Sequence, residues 1–160
     1  MLYLIDGYNV LFSYLDSKKK FANQRALLIQ YFQEKFALLH LSGLLVFDGS
    51  HKRDEESGLG YKSPLEIAYT PKGQNADSYI VEKLTLSKNP KEITVVTNDK
   101  GLERHARAQK AHVQTSQSFI QFLEKKSQKK TKEKNFKETP FHLNRLLKIF
   151  ESKSDVDEDF

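Results

Sequence analysis

A chain of 160 residues without cysteine has room for one domain and a tail, and it cannot build a disulfide framework, a thiolate zinc site or a cysteine nucleophile. Its net charge of +5 is unevenly placed: the last ten residues hold five acids and one lysine, and removing that −4 leaves +9 on the first 150 residues, a balance suited to a polyanion such as nucleic acid. No apolar run approaches the roughly 20 residues of a membrane span, and MLYLIDGYNV, with an acid at position 6 and no basic start, reads as a strand and not as a signal peptide; a reducing cytoplasm is the expected location.

In chain order, Leu2 to Ile5 is the first predicted strand. Phe21 to Leu39 has helical spacing, with Leu28, Phe32, Phe36 and Leu39 on one face and Leu27 and Tyr31 widening it. Gly43 is expected to end that connection before a strand over Leu44 to Phe47. The stretch SHKRDEESGLGYKSP, with its glycines, proline and mixed charges, is an exposed loop. A short strand over Glu66 to Thr70 follows. Asn75 caps a helix running to about Leu86 with Ile80, Val81 and Leu84 inward. Ile93 to Thr97 is the fourth strand, Leu102 to Gln109 a helix, and Ala111 to Val113 the fifth strand. Ser116 caps a last helix carrying Phe119, Ile120, Phe122 and Leu123.

This alternation predicts an α/β domain over residues 1–124, Rossmann-like, with a mostly parallel sheet of about five strands and helices on both faces. Residues 125–138 hold seven lysines among almost no apolar side chains and read as a solvated linker. Thr139-Pro140 opens a helix over 139–151, with Leu143, Leu146, Leu147 and Phe150 on one side, and 152–160 is an acidic tail expected to be disordered. No internal repeat is present.

Four aspartates fall at the element boundaries: Asp6 in LYLIDGYN, Asp48 in LLVFDGS, Asp77 in GQNADSYI and Asp99 in TVVTNDKG. Each has an ordinary explanation by itself. Asp6-Gly7 and Asp48-Gly49 suit turns, Asp99 suits a helix cap, and Asp77 suits the positive end of a helix dipole. Together they say more. Strand carboxyl ends in a parallel sheet share one edge, where sites form, and converging carboxylates repel unless a cation lies between them. A hard divalent ion is therefore the first expectation.

Those same segments, LYLIDGYNVL, LLVFDGS, IAYTPKGQNADSYI and VVTNDKG, resemble in order and spacing the NYN domains of the YacP-like nuclease group, within the PIN-like, flap-nuclease-related superfamily. The resemblance covers roughly residues 1–124. It implies a metal-dependent endoribonuclease in which Asp6, Asp48, Asp77 and Asp99 surround Mg²⁺ or Mn²⁺ and Asn9 helps to hold the site. RNA is the implied substrate, and some members act only in association with ribosomes. The chain departs from the usual pattern at Asn98-Asp99 and Lys110-Ala111, where members often carry Ser-Asp and Gly-Ala. That change leaves the acids in place and bears on the substrate edge.

Phosphodiester hydrolysis needs an activated water and charge stabilisation at phosphate, which a carboxylate-held metal supplies. Mg²⁺ keeps several waters and takes one or two carboxylates directly. Asp6 and Asp99 are the expected ligands, direct or through water, with Asp48 and Asp77 as a second pole and Asn9 orienting Asp6 or the phosphate. Thr97 can donate to a carboxylate or phosphate oxygen. Lys52, Arg53, Lys62, Lys72, Asn98 and Lys100 are placed to meet RNA phosphates, and Tyr8 either stacks on a base or packs in the core. Glu82 is expected to face solvent, and Arg104 and Arg107 to lie at the periphery.

The histidines show no zinc-ligating spacing, and His51 is the one expected near the edge. No G-x-S-x-G occurs. Position 8 is tyrosine, which rules out an aspartyl-phosphate Asp-x-Asp pair, and no G-x-G-x-x-G follows the first strand, so no nucleotide cofactor is expected. The rival reading is a non-catalytic RNA- or ribosome-binding module on the same fold. Four gathered acids count against it, since a binder of polyanions gains nothing from negative charge.

Overall fold

The computed structural model describes residues 1–14, 21–49 and 64–133. Five strands, β1 (Leu2–Asp6), β2 (Ser42–Phe47), β3 (Leu65–Tyr69), β4 (Ile93–Val96) and β5 (His112–Gln114), form one sheet in the order β3-β2-β1-β4-β5, every pair parallel. The expected α/β architecture is present. The chain leaves β1 for β2 and β3 on one side, then crosses to β4 and β5 on the other. This puts a topological switch point between β1 and β4, where open α/β sheets place their sites.

Side chains along the central strands alternate between two cores, as the period of two requires. Tyr3, Ile5, Leu45 and Phe47 face α1 (Gly7–Tyr14), α2 (Phe21–Leu39) and α5 (Ser116–Glu133). Leu4, Leu44, Val46 and Val95 face α3 (Ala76–Leu86) and α4 (Lys100–Ala108). The first core is aromatic: the Phe119 ring lies 5.0 Å from Tyr3, 5.9 Å from Phe32 and 6.1 Å from Phe36. Such tilted pairs add to the area they bury.

Three local differences from the sequence reading have physical causes. Helix α1 begins directly after Asp6, where a turn was expected. Gly7 permits this, because a Cβ there would stand 2.5 Å from a Phe47 ring carbon and 2.8 Å from the Val46 carbonyl. Gly43 is a strand residue paired with Tyr3, and α2 ends instead at His40, in the left-handed region at φ 54°. Helix α5 runs to Glu133, nine residues past Glu124, so residues 125–133 of the expected linker are helical. Lysine is a good helix former, and buried Ser127 continues the inner face begun by Phe119 and Leu123. Residues 134–138, the segment 139–151 and the tail 152–160 lie outside the described residues.

Gly49 explains the Asp48-Gly49 pair more tightly than a turn does. Its N–H donates to the Thr70 hydroxyl at 2.9 Å, and a Cβ on Gly49 would collide with the Thr70 carbonyl oxygen. Gly49→Ala is expected to lower stability by about 1–3 kcal/mol through this overpacking, read as a reduced midpoint in urea. An unchanged midpoint would show that the β2 and β3 ends separate freely.

Candidate active site

Asp6 is the last residue of β1 and is almost fully buried. Burial pushes its carboxyl up to about 7, and the negative charge and hydrogen bond of Asp77 push the same way. The Thr97 hydroxyl, donating at 3.3 Å to Asp6 Oδ2, and the backbone N–H of Asn9 oppose that shift without cancelling it. Two carboxylates in hydrogen-bond contact share a proton, and the pair titrates together.

Asp77 reaches this point from α3. The Asn75 side chain accepts from Ser78 N at 2.8 Å and caps the helix, which sets Asp77 in the first turn beside Asp6. Burial and then the charge of Asp99 raise its carboxyl, while the hydrogen bond with Asp6 and the positive charge of His105 lower it. Asp99 caps α4 through Oδ1, which accepts from Leu102 N at 2.9 Å, so the expected helix cap is present. Its N–H donates to Thr97 Oγ1 at 3.1 Å, and the same hydroxyl serves Asp6. Thr97 is thus a relay between the two acids, buried and turned inward.

Asp6 and Asp77 therefore meet at the switch point, and the charge of Asp99 reaches Asp77. Asp48 lies on the same edge, half-buried two residues beyond Val46, the register partner of Asp6, and is not among the groups that raise Asp6. Asp77 is in contact with Asp6, whereas the sequence paired it with Asp48 as a second pole. Among the described residues, no three His, Asp or Glu side chains stand close enough together to make a metal-binding set. The Asp6–Asp77 contact with Asp99 behind it nonetheless suits a hard ion that keeps most of its waters and takes one or two carboxylates.

The remaining candidates divide. Asn9 contributes in two ways: its backbone N–H serves Asp6, and its side-chain oxygen accepts from Asn98 N at 2.6 Å, so the amide holds the β4 end and not Asp6 itself. Tyr8 is buried, with its ring 4.8 Å from Phe47 and its hydroxyl accepting from Arg25 at 3.1 Å; it is a core residue and not a stacking platform. The Asn98 side chain is engaged within the protein. Lys72 and Lys100 are exposed; Lys100 directly follows Asp99 and lies 3.5 Å from Glu103. Lys52, Arg53, Lys62 and His51 lie outside the described residues. Glu82 is exposed, as expected. Sequence reasoning missed His105 and Ser13. His105 becomes a neighbour of Asp77 only because α4 packs along α3, which no spacing within either helix reveals.

The raised carboxyl of Asp6 sets a pH dependence. In the fold Asp6 keeps its proton to about 7, whereas the unfolded chain gives it up near 3.8. Across that window the folded state binds more protons, so without divalent cations stability is expected to fall as pH rises from about 4 to about 7 and to lose nothing more from this group above it. Thermal melts in EDTA over this range check it, with Asp6→Asn as the control that flattens the slope. Equal slopes in both proteins would contradict the assignment.

The sequence matches the YacP-like NYN domain over residues 3–154, well past the 124 residues that carry the resemblance by motif. No curated protein sequence matches the chain. Among solved structures, the W164L mutant of Rae1 (YacP) from Bacillus subtilis is similar over 100% of both chains, with 22% identity and a TM-score of 0.64. A second Rae1 (YacP) structure from Bacillus subtilis is similar over 84% of each chain, with 25% identity and a TM-score of 0.62. The chain belongs to the YacP-like NYN domain family.

Proposed function

We propose that this protein is a metal-dependent endoribonuclease that hydrolyses RNA phosphodiester bonds with Mg²⁺ or Mn²⁺. The observation that carries the reading is the buried Asp6–Asp77 contact, with Asp99 beside it, at the switch point of the sheet. A fold gains no stability from pressing a buried carboxylate against a second one; the arrangement is costly until a cation replaces the shared proton. Membership of a nuclease family points the same way.

A bound divalent ion supplies an activated water and neutralises charge at the phosphate. The protein's part is positional. Asp6 and Asp77 hold the ion, and Asp99 adds negative charge at its margin. The Thr97 hydroxyl and the Asn9 backbone N–H fix the Asp6 carboxylate so that its free edge faces Asp77. Lys72 and Lys100, exposed on this edge, take the flanking phosphates. The protein acts in the cytoplasm on messenger engaged by ribosomes or on RNA under maturation, and sequencing of RNA 5′ ends in cells with and without active protein separates those targets. Among the described residues no helix is long and apolar enough to cross a membrane.

Incubation of the full chain with RNA in Mg²⁺ or Mn²⁺ is expected to yield internal cuts that EDTA abolishes. Cleavage that survives EDTA would contradict the metal, and RNA binding without cleavage in either ion, with or without ribosomes, would favour the non-catalytic module.

A further inference from the structure

Asn98 stands between Thr97 and Asp99, and it is tied twice to α1 and once to α5. Its backbone N–H donates to Asn9 Oδ1 at 2.6 Å. Its Nδ2 donates to Ser13 Oγ at 2.9 Å, and its Oδ1 accepts from Ser116 N at 2.9 Å. Ser13 Oγ in turn donates to the Asn9 carbonyl at 3.0 Å. The bonds between Asn98 and α1 therefore close a ring, and one further bond reaches the first residue of α5. On one side of this junction Thr97 Oγ1 serves Asp6; on the other, Asp99 caps α4.

We propose that Asn98 is a positioning residue: it locks the Thr97–Asp99 segment to α1 and α5, and so fixes the Asp99 carboxylate and the Thr97 hydroxyl relative to Asp6. The inference rests on the reading of the acids as a metal-dependent nuclease site. It differs from the sequence expectation that Asn98 meets RNA, because both ends of its amide are engaged within the protein. Only a group that donates at one end and accepts at the other fits here. The Ser13 hydroxyl already gives its proton to Asn9 and can only accept, while Ser116 offers an N–H and can only donate. Aspartate at 98 would bring no donor to Ser13 and would add negative charge next to Asp99. Alanine removes both side-chain arms and leaves the backbone bond to Asn9, so the loop is loosened and not released.

The test compares Asn98→Ala, Ser13→Ala and Ser13→Thr in the full chain, each with three readouts: steady-state cleavage of RNA, the Mn²⁺ concentration giving half the maximal rate, and amide hydrogen exchange at Ser116 and Asp99. Asn98→Ala is expected to lower kcat about 10–100-fold with KM for RNA within about twofold, the scale seen when a support of a metal ligand is removed. It is also expected to raise the Mn²⁺ midpoint and to speed exchange at both amides. Ser13→Ala breaks one arm and produces a smaller loss in the same direction, while Ser13→Thr, which keeps the hydroxyl, restores kcat. An unchanged kcat and Mn²⁺ midpoint in Asn98→Ala would overturn the proposal, as would a loss confined to KM, which is what a direct RNA contact would give. Absence of cleavage by the wild-type protein would instead remove the nuclease reading. The positioning claim is then decided by exchange alone: faster exchange in Asn98→Ala supports it, and unchanged exchange overturns it.

Discussion

Asp6→Asn is expected to lower RNA cleavage about a thousandfold while leaving the melting temperature unchanged or raising it. The two outcomes follow from one geometry. Asparagine has the shape of the protonated acid: its amide can donate to Asp77 where the shared proton now lies, and its oxygen can still accept from Thr97. The buried charge that the fold pays for is gone, so stability in EDTA at pH 8 does not fall. Activity depends on the ionised form that a divalent ion calls up. Losing it forfeits several kcal/mol of charge stabilisation at the phosphate, and each 1.36 kcal/mol is a factor of ten. Asp77→Asn is expected to behave alike. Cleavage assays beside thermal melts read both halves. Near-normal cleavage would show that Asp6 does not serve the reaction, and parallel loss of fold and activity would make it structural.

The largest stability effect is expected away from the acids, at Glu124→Ala, which should cost about 3–5 kcal/mol in urea denaturation. Lys35 is buried on α2, and its Nζ lies 3.2 Å from Glu124 Oε2 on α5. Tyr31 donates its hydroxyl to Glu124 Oε1 at 3.1 Å. Burial lowers the Lys35 pKa, while the charge of Glu124 acts against that shift. Removing the glutamate takes from the Lys35 ammonium and the Tyr31 hydroxyl their shared charged partner between α2 and α5. The double change Lys35→Met with Glu124→Leu is expected to recover most of the loss, since a packed apolar pair replaces a buried ion pair at little net cost. Failure of the double variant to recover would place the cost in lost packing and not in the lost ion pair. The pair also concerns the site, because it seats α5 against α2, and α5 presents Ser116 N to Asn98.

Much of this arrangement was legible in the chain. Apolar runs ending in Asp6 and Thr97-Asn98-Asp99 marked strands whose carboxyl ends share an edge, and Asn75 marked the helix start that carries Asp77. Helix α1 was not legible. Gly-Tyr-Asn-Val is a poor helix former, and its helix is held by packing of Tyr8, Val10 and Leu11 in the core. The extension of α5 was hidden for a related reason: its lysines look solvated, and the buried positions Leu123 and Ser127 between them are few. Which acids pair could not be read either. Asp48 follows a strand and Asp77 opens a helix, and neither position names its partner; the crossover of α3 over the sheet brings Asp77 against Asp6. The inward turn of Asn98 depends on Ser13 and Ser116, 85 residues before it and 18 after.

Calorimetric titration of Mn²⁺ into the full chain at pH 8 asks whether Asp6 and Asp77 hold a divalent ion. Saturable binding is expected for the wild-type protein, with its loss in the Asp6→Asn, Asp77→Asn double variant, which is expected to fold as well as the parent. Undiminished Mn²⁺ binding in that variant, or none in the wild-type protein, would contradict that role.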